Sequence, residues 1–323
     1  MASLRATRET LLFAYCDECL DDVELVVLNE LNTSENLDFS YDAYDRFNLD
    51  DMDEAKCIAE FRFEKRHILR LEEVLQIPPV MKCNQRSVFT GTEGLCMLLK
   101  RLAYPCRYSD LIHRFGRPVP VLGMITNEVI DYIYNTHHHK ITNWNNDILN
   151  PAALQMYTDA ISAKGAALDN CFGFIDGTVR PISKPGERQR VMYNGHKRVH
   201  GIKFQSIALP SGLIGNMYGP VEGRKHDTSM LTESGLLREL QQNAISPAGQ
   251  PLCIYGDPAY PLRMHLQGPF RNAHLTPQMQ RFNKCMSEIR ASVEWLFNNI
   301  INYSKFLDFK KNLKVGLSSV GKM

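Results

Sequence analysis

The sequence has 323 residues, of which 44% are hydrophobic and 23% charged, with a formal net charge of +1. This is the composition of a soluble globular protein, long enough for one large or two ordinary domains. No run of about 18 apolar residues is present, and acids interrupt the N-terminus early, so neither a membrane span nor a signal peptide is expected. Nine scattered cysteines, an odd number, indicate free thiols in a reducing intracellular compartment.

The first 60 residues are predicted to form an N-terminal helix followed by an acidic linker. An apolar stripe of helical spacing predicts one amphipathic helix over 1–33. Residues 34–54 are rich in acids, Ser and Asn, which favours a loop or linker. Cys16 and Cys19 form a C-x-x-C motif, but no second pair follows at zinc-site spacing, so a metal site is not favoured there.

Residues 61–150 are predicted to be a helical, helix-turn-helix-like region. Apolar spacing predicts helices over 67–75, 91–104, 108–115 and 122–134, joined by short turns. Between residues 86 and 117 six basic residues face two acids, and Arg107 and Arg114 are the candidates for contacts with DNA phosphates. A small helical subdomain that merely packs on the next domain explains the same pattern.

From residue 151 to 323 the pattern changes to strands and helices. A helix over 151–163 precedes a strand over 172–176, and two further strands over 200–209 and 213–218 form a hairpin. A helix over 226–240, a strand over 252–255 and a long helix over about 278–303 follow. Three antiparallel strands and a parallel one reached through a helix predict an α/β fold with the mixed sheet of ribonuclease H-like proteins.

Two acids follow apolar strands and adjoin a glycine. Asp176 ends the predicted strand over 172–176, and Gly177 would let the backbone turn directly after it. A turn or cap Asp before Thr178 is the plainer interpretation. Asp257 follows the strand over 252–255. In the predicted topology these strands are neighbours, so the two carboxylates would share one sheet edge, where a divalent metal would relieve their repulsion.

A third acid, Glu294, lies beside the apolar face of the long C-terminal helix. Arg290 precedes it by four residues, and pairing of these two side chains is the alternative to a metal role for Glu294.

A basic segment lies between the first two strands of the predicted sheet. It contains seven basic residues against one acid, with Tyr and His interleaved, which favours a DNA-backbone track over a merely solvated hairpin. The predicted DNA-binding residues of this segment are Arg180, Lys184, Arg188, Arg190, Lys197, Arg198 and Lys203. His226, next to Asp227, would contact phosphate or cap its helix.

Four sequence blocks together resemble the successive blocks of the PIF/Harbinger transposase family, which includes a domesticated Harbinger-derived nuclease of vertebrates. They are F-I-D-G-T at 174–178, G-R-K-H-D at 223–227, G-D-P-A-Y-P at 256–261 and R-A-S-V-E at 290–294. The resemblance is strong over 171–297 and weak over the helical region from residue 61. It implies a DDE nuclease core of ribonuclease H fold that binds Mg²⁺ or Mn²⁺, with Asp176 as first acid and Glu294 as last.

Two residues are candidates for the second acid of the site. Strand position ranks Asp257 above Asp227, whereas Asp227 begins a helix and would be a fourth metal ligand or an N-cap. The predicted catalytic residues are therefore Asp176, Asp257 and Glu294, and the predicted metal ligands are these three together with Asp227.

The function expected from this pattern is metal-dependent cleavage of DNA phosphodiester bonds by two-metal in-line displacement. A domesticated DNA-binding protein without catalysis is the alternative, and an RNA-directed ribonuclease is a third reading that leaves the helical region unexplained. The resemblance implies transposon-end DNA and an accessory Myb-like DNA-binding protein as partners, and a nuclear location, with the cytoplasm as a second one. Formation of a homo-oligomer is left open. The resemblance also leads us to expect further residues beyond Met323.

Overall fold

The structure is a computed structural model that describes residues 4–32, 39–271, 274–308, 313–314 and 319–323. The side chains of residues 4–6 and 292–295 are also outside the described set. The chain divides into two compact units, Met1–Ala43 and Tyr44–Met323. No helix in the described ranges combines the length and the apolar character that a membrane span requires. The domain boundaries at 60/61 and 150/151 stay predictions.

The N-terminal unit contains two helices rather than one. Helix α1 spans Leu4–Cys16 and α2 spans Asp22–Leu31. Asp21 starts the second helix with a capping box, because its side chain accepts the Glu24 N–H at 2.7 Å and its own N–H donates to Glu24 at 3.1 Å. The prediction of one continuous helix over 1–33 is therefore wrong.

A helical region opens the second unit, close to the predicted pattern. Its helices are α3 Glu54–Phe61, α4 Lys65–Val74, α5 Gly91–Ala103, α6 Ile112–Phe115, α7 Val119–His137 and α8 His139–Thr142, with short 3₁₀ helices at Leu49–Asp51 and Tyr108–Leu111. The sequence did not predict the hairpin of β1 Val80–Lys82 and β2 Val88–Thr90, whose three-residue strands are too short for a clear alternation. A helix-turn-helix role for this region stays a prediction.

Several basic residues of this region pair with acids inside it. Lys100 Nζ lies 3.3 Å from Glu60 Oε2, and Arg114 Nε donates to the same oxygen at 3.0 Å. Arg117 forms a two-pronged pair with the buried Glu93, with N–O distances of 2.6 and 2.7 Å. These cations join helices to one another, whereas the side chain of Arg107 is exposed.

A mixed sheet with flanking helices forms the rest of the second unit. Its strands are β3 Cys171–Pro181, β4 Tyr193–Asn194, β5 Val199–Ala208, β6 Ile214–Glu222, β7 Cys253–Tyr255 and β8 Leu266–Gln267. The helices are α9 Pro151–Ala163, α10 Gln189–Met192, α11 Asp227–Glu233, α12 Leu236–Asn243 and α13 Pro277–Tyr303, followed by a 3₁₀ helix at Lys305–Asp308. Strands β3, β5 and β6 are antiparallel neighbours, and β3, β7 and β8 are parallel neighbours. The predicted ribonuclease H-like α/β fold, preceded by a helical region, is confirmed.

Two details of this domain differ from the sequence-based prediction. The helix expected over 226–240 is broken into α11 and α12, because Gly235 adopts a left-handed conformation with φ +67° between them. The loop expected after 257 contains β8, a two-residue strand that extends the parallel side of the sheet beyond β7.

The two faces of β3 pack on different helices. Ile175 lies in a core cluster with Leu231 and Leu240 of α11 and α12. Phe174 lies in a separate cluster with Met286 of α13, together with Tyr255 of β7. The register of β3 against β7 is irregular between Cys171 and Gly173. From Phe174 onward side chains alternate along the strand, so these residues can be assigned to the α11 face or to the α13 face of the sheet.

Candidate active site

Asp176 lies within strand β3 and not at its end. The strand continues to Pro181, and Asp176 and Gly177 face Ser206 and Gln205 of β5 in the antiparallel register. The expectation that the chain turns at Gly177 is therefore wrong. On the other side of β3, pairing with β7 stops at Phe174 and Tyr255. Asp176 is thus the first acid beyond the point where the parallel neighbour ends.

The Asp176 carboxylate is half-buried and contacts a cation. Its side chain is 24% exposed, and Arg290 Nη2 donates to its Oδ1 at 2.7 Å. Burial raises the pKa of Asp176, and the nearby charges of Asp257 and Asp227 raise it further; Arg290 lowers it but does not cancel these effects. The negative charge of this carboxylate is therefore only partly compensated.

Asp257 follows β7, the parallel neighbour of the strand that contains Asp176. The rings of Phe174 and Tyr255 are paired residues of the parallel register and contact each other on the α13 face, with centroids 6.4 Å apart. Asp176 comes two residues after Phe174 in the same strand and so lies on the α13 face, where Arg290 contacts it. Asp257 comes two residues after the end of β7, and its charge acts on Asp176. The Ala259 N–H donates to Asp257 Oδ1 at 2.9 Å and orients that carboxylate. The predicted adjacency of the two strands is confirmed.

Asp227 contacts β3 from the opposite face. A Cβ atom placed on Gly177 would overlap Asp227 Oδ1 and would lie 3.2 Å from Lys203 Cε, so the missing side chain leaves room for this acid. Lys203 Nζ is 2.8 Å from the same oxygen, and both side chains are largely buried, with 9% and 18% exposed. Lys203 Nζ also donates to the Lys225 carbonyl at 3.1 Å. Asp227 therefore has a cationic partner of its own on the α11 face.

We expect Gly177→Ala to destabilise the protein by roughly 1–3 kcal/mol, because the new methyl group displaces Asp227 from Lys203. Urea unfolding would measure the change in the free energy of unfolding. Gly195→Ala is the matched control, since nothing lies within 4 Å of its Cβ position. A cost for Gly177→Ala no larger than that of the control would contradict the close approach of Asp227.

Tyr260 is a site residue that the sequence did not single out, although it belongs to the block at 256–261. Its ring is buried in the α11-face core, and its hydroxyl has no hydrogen-bond partner among the described residues. Burial raises the pKa of Tyr260, and the charges of Asp227, Asp176 and Asp257 raise it further. A buried tyrosine next to acids has no local sequence signal, which explains why it was missed.

Glu294 lies on α13, the helix that also provides Arg290. Its side chain is outside the described residues, so its role stays a prediction. Arg290, the alternative partner suggested for it, contacts Asp176.

The predicted DNA-binding residues fall into two groups in the structure. Six of them are exposed and available to a ligand: Arg107, Lys184, Arg188, Arg190, Lys197 and Arg198. The other three have partners inside the protein. Arg114 pairs with Glu60, the Arg180 guanidinium lies 5.6 Å from the centre of the Phe297 ring, and Lys203 is buried against Asp227.

A polar groove of about 530 Å³ lies beside the basic segment. It is lined by Val191, Glu222, Arg224, Lys225, His226 and Ser229. Lys225 Nζ is paired with Glu233 at 2.6 Å, whereas Arg224 and His226 are exposed. The exposed cations of the basic segment therefore continue along this groove as far as His226, the residue before Asp227.

Carboxylate chemistry at this edge of the sheet fits a divalent cation. Among the described side chains, no group of three or more His, Cys, Asp or Glu is already arranged to hold a metal ion. Asp176 and Asp257 nevertheless supply the hard oxygen ligands that Mg²⁺ and Mn²⁺ prefer, and the charge of Asp176 is only partly compensated by Arg290. The described donors are thus two carboxylates near the point where the pairing of β3 with β7 ends.

A ribonuclease H-like sheet with acids on adjacent parallel strands is the arrangement of the DDE class of nucleases. Residues 175–323 match the model of a family described as DDE superfamily endonuclease. No curated protein and no solved structure matches the chain. The family match supports a DDE transposase-like nuclease domain over these residues, with DNA as the substrate of the class. The match includes Asp176, Asp257 and Glu294.

Proposed function

We propose that this protein is a metal-dependent DNA endonuclease or transposase of the PIF/Harbinger type. The observation that carries the proposal is the position of Asp176, which lies in β3 just beyond its pairing with β7, near Asp257, which follows β7. This edge of the sheet lies inside the segment that matches the DDE superfamily endonucleases. The four sequence blocks between 174 and 294 support the Harbinger type.

Asp176, Asp257 and Glu294 are the residues proposed to hold the metal. Mg²⁺ or Mn²⁺ bound there would activate a water or a 3′-hydroxyl and stabilise the leaving oxygen in an in-line displacement at phosphorus. The chain itself fixes the first two carboxylates. Strand β3 is held by β5 at Asp176, and the backbone of Ala259 orients Asp257.

The face assignment favours Asp257 over Asp227 as the second acid. Asp227 is held by Lys203 on the α11 face, where α11 and α12 pack, whereas Asp257 follows the strand that neighbours β3. Glu294 belongs to α13, the helix that packs on the Asp176 face. A site built from Asp176, Asp257 and Glu294 would therefore combine strand β3, the end of its parallel neighbour and the helix that packs on the Asp176 face.

DNA is proposed to approach along the exposed cations of the segment between β3 and β5. Arg188 and Arg190 precede Val191, which lines the groove together with Arg224 and His226. Phosphate contacts of this kind provide affinity and register without reading sequence. A nuclear location and a Myb-like DNA-binding partner are part of the same proposal, as is a helix-turn-helix-like region over 61–150.

Cleavage of end-labelled duplex DNA by the full chain tests the proposal. We expect products in Mg²⁺ or Mn²⁺, none in EDTA, and a loss of roughly 10³-fold or more for Asp176→Asn, because a proposed metal ligand loses its charge. Asp159→Asn is the control, since this acid is exposed on α9.

A folded sample that binds DNA and never cleaves it would contradict the catalytic proposal and support a DNA-binding protein without catalysis. Cleavage that persists in EDTA, or in the Asp176→Asn variant, would exclude the proposed chemistry.

A further inference from the structure

Arg290 reaches across from α13 to the catalytic strand. Its Nη2 donates to Asp176 Oδ1 at 2.7 Å, and the two side chains are 28% and 24% exposed. The sequence offered Glu294, one turn further along α13, as the pairing partner of Arg290. The guanidinium thus contacts the carboxylate that the proposed function assigns to a metal.

In the described part of the structure, the Arg290 guanidinium has an N–H donor without an acceptor. Arginine has five N–H donors, and its buried Nε finds no hydrogen-bond partner among the described residues. The Tyr255 hydroxyl also lacks a hydrogen-bond partner among the described residues. Burial raises its pKa, and the nearby charge of Arg290 lowers it by less. A buried donor without an acceptor costs free energy. The Arg290–Asp176 contact is therefore easily replaced by another position of the guanidinium.

A divalent cation and the guanidinium require the same oxygen atoms. Two cations close to one carboxylate repel each other, and the repulsion is strong where both are partly removed from water. A guanidinium displaced from Asp176 would keep its planar set of donors beside the proposed metal site, and these donors match the oxygens of a phosphate.

We infer that Arg290 competes with the divalent cation for Asp176, compensating this carboxylate while no metal is bound and giving it up when one binds. This inference rests on the proposed function, because it takes Asp176 as a metal ligand. Arg290 is accordingly a positioning residue, whose presence weakens metal binding while it stabilises the metal-free protein.

Mn²⁺ affinity measured by electron paramagnetic resonance of the free ion, on the full chain without DNA, tests the inference. We expect Arg290→Gln to bind Mn²⁺ roughly tenfold more tightly than the wild type, because a competing charge is removed. The melting temperature in EDTA should fall, and the increase on adding Mn²⁺ should be larger than for the wild type. A residue with a purely structural role would weaken metal binding when replaced.

Three further variants sharpen the test. Arg281→Gln removes an equal charge from an exposed position of the same helix, and its affinity should equal that of the wild type. Arg290→Met preserves the apolar stem and should reproduce the gain if the Gln variant does not fold. In an Asp176→Asn background, replacement of Arg290 should have no effect on affinity.

The outcomes separate the two proposals. No Mn²⁺ binding by the folded wild type would overturn the proposed metal site and the inference with it. Binding by the wild type that is equal or weaker in both Arg290 variants would overturn the inference alone.

Discussion

Asp257→Asn should abolish metal-dependent DNA cleavage, with a loss of roughly 10³-fold or more, whereas loss of the Asp227 charge should leave the rate within about tenfold. The physical reason is that the two acids are held differently relative to Asp176. Asp257 follows β7 next to Asp176, and Asp227 is paired with Lys203 at 2.8 Å against the other face of β3. Rates of cleavage of labelled DNA in Mg²⁺ would measure both effects.

The Asp227 variant needs a design that protects the fold. Asp227→Asn alone would leave the buried Lys203 ammonium without its carboxylate, and lost activity would then report lost structure. The paired variant Asp227→Asn with Lys203→Met removes both charges together, and circular dichroism would establish that it is folded. An active Asp257→Asn variant together with an inactive, folded paired variant would reverse the assignment of the second acid.

Lys203→Met should reduce the free energy of unfolding by roughly 3–5 kcal/mol, because it leaves the largely buried Asp227 carboxylate without its cation. Apart from this ammonium at 2.8 Å, Asp227 Oδ1 has no hydrogen-bond partner among the described residues, so no other described donor would replace it at that oxygen. Urea unfolding followed by circular dichroism would measure the change.

Two comparisons identify the ion pair as the cause of this effect. Lys197→Met removes an exposed lysine between β4 and β5, and such surface changes usually stay within about 0.5 kcal/mol. Addition of Asp227→Asn to Lys203→Met should recover part of the lost stability, since the unpaired charge is then removed. A cost below about 1 kcal/mol for Lys203→Met would mean that Asp227 is solvated and not held by this pair.

Local patterns were sufficient for most elements of the nuclease-like domain. The apolar runs over 172–175 and 252–255 identified the two strands that precede the acids, and a parallel pairing of these strands followed from their order along the chain. Helix α9 begins and ends where its apolar spacing predicted. The long α13 was recognisable from apolar residues at helical spacing over many turns.

Contacts between distant segments were not accessible to that reasoning. Strand β8 forms because β7 offers it an edge to pair with. Gly177 was interpreted as a turn residue, although it makes room for Asp227, which lies 50 positions further along the sequence. Lys203 was interpreted as a DNA contact because sequence cannot show which lysines of a basic segment are buried.

The sequence by itself determined the class of fold, the acids available to a site, and the basic character of the segment beside them. These properties depend on residue type, periodicity and order along the chain. Only the tertiary structure decided that Arg290 contacts Asp176, that Lys203 contacts Asp227, and that β3 separates these two pairs. The physical reason is that the face on which a side chain lies depends on strand register and helix packing, which arise from contacts between residues far apart in the chain.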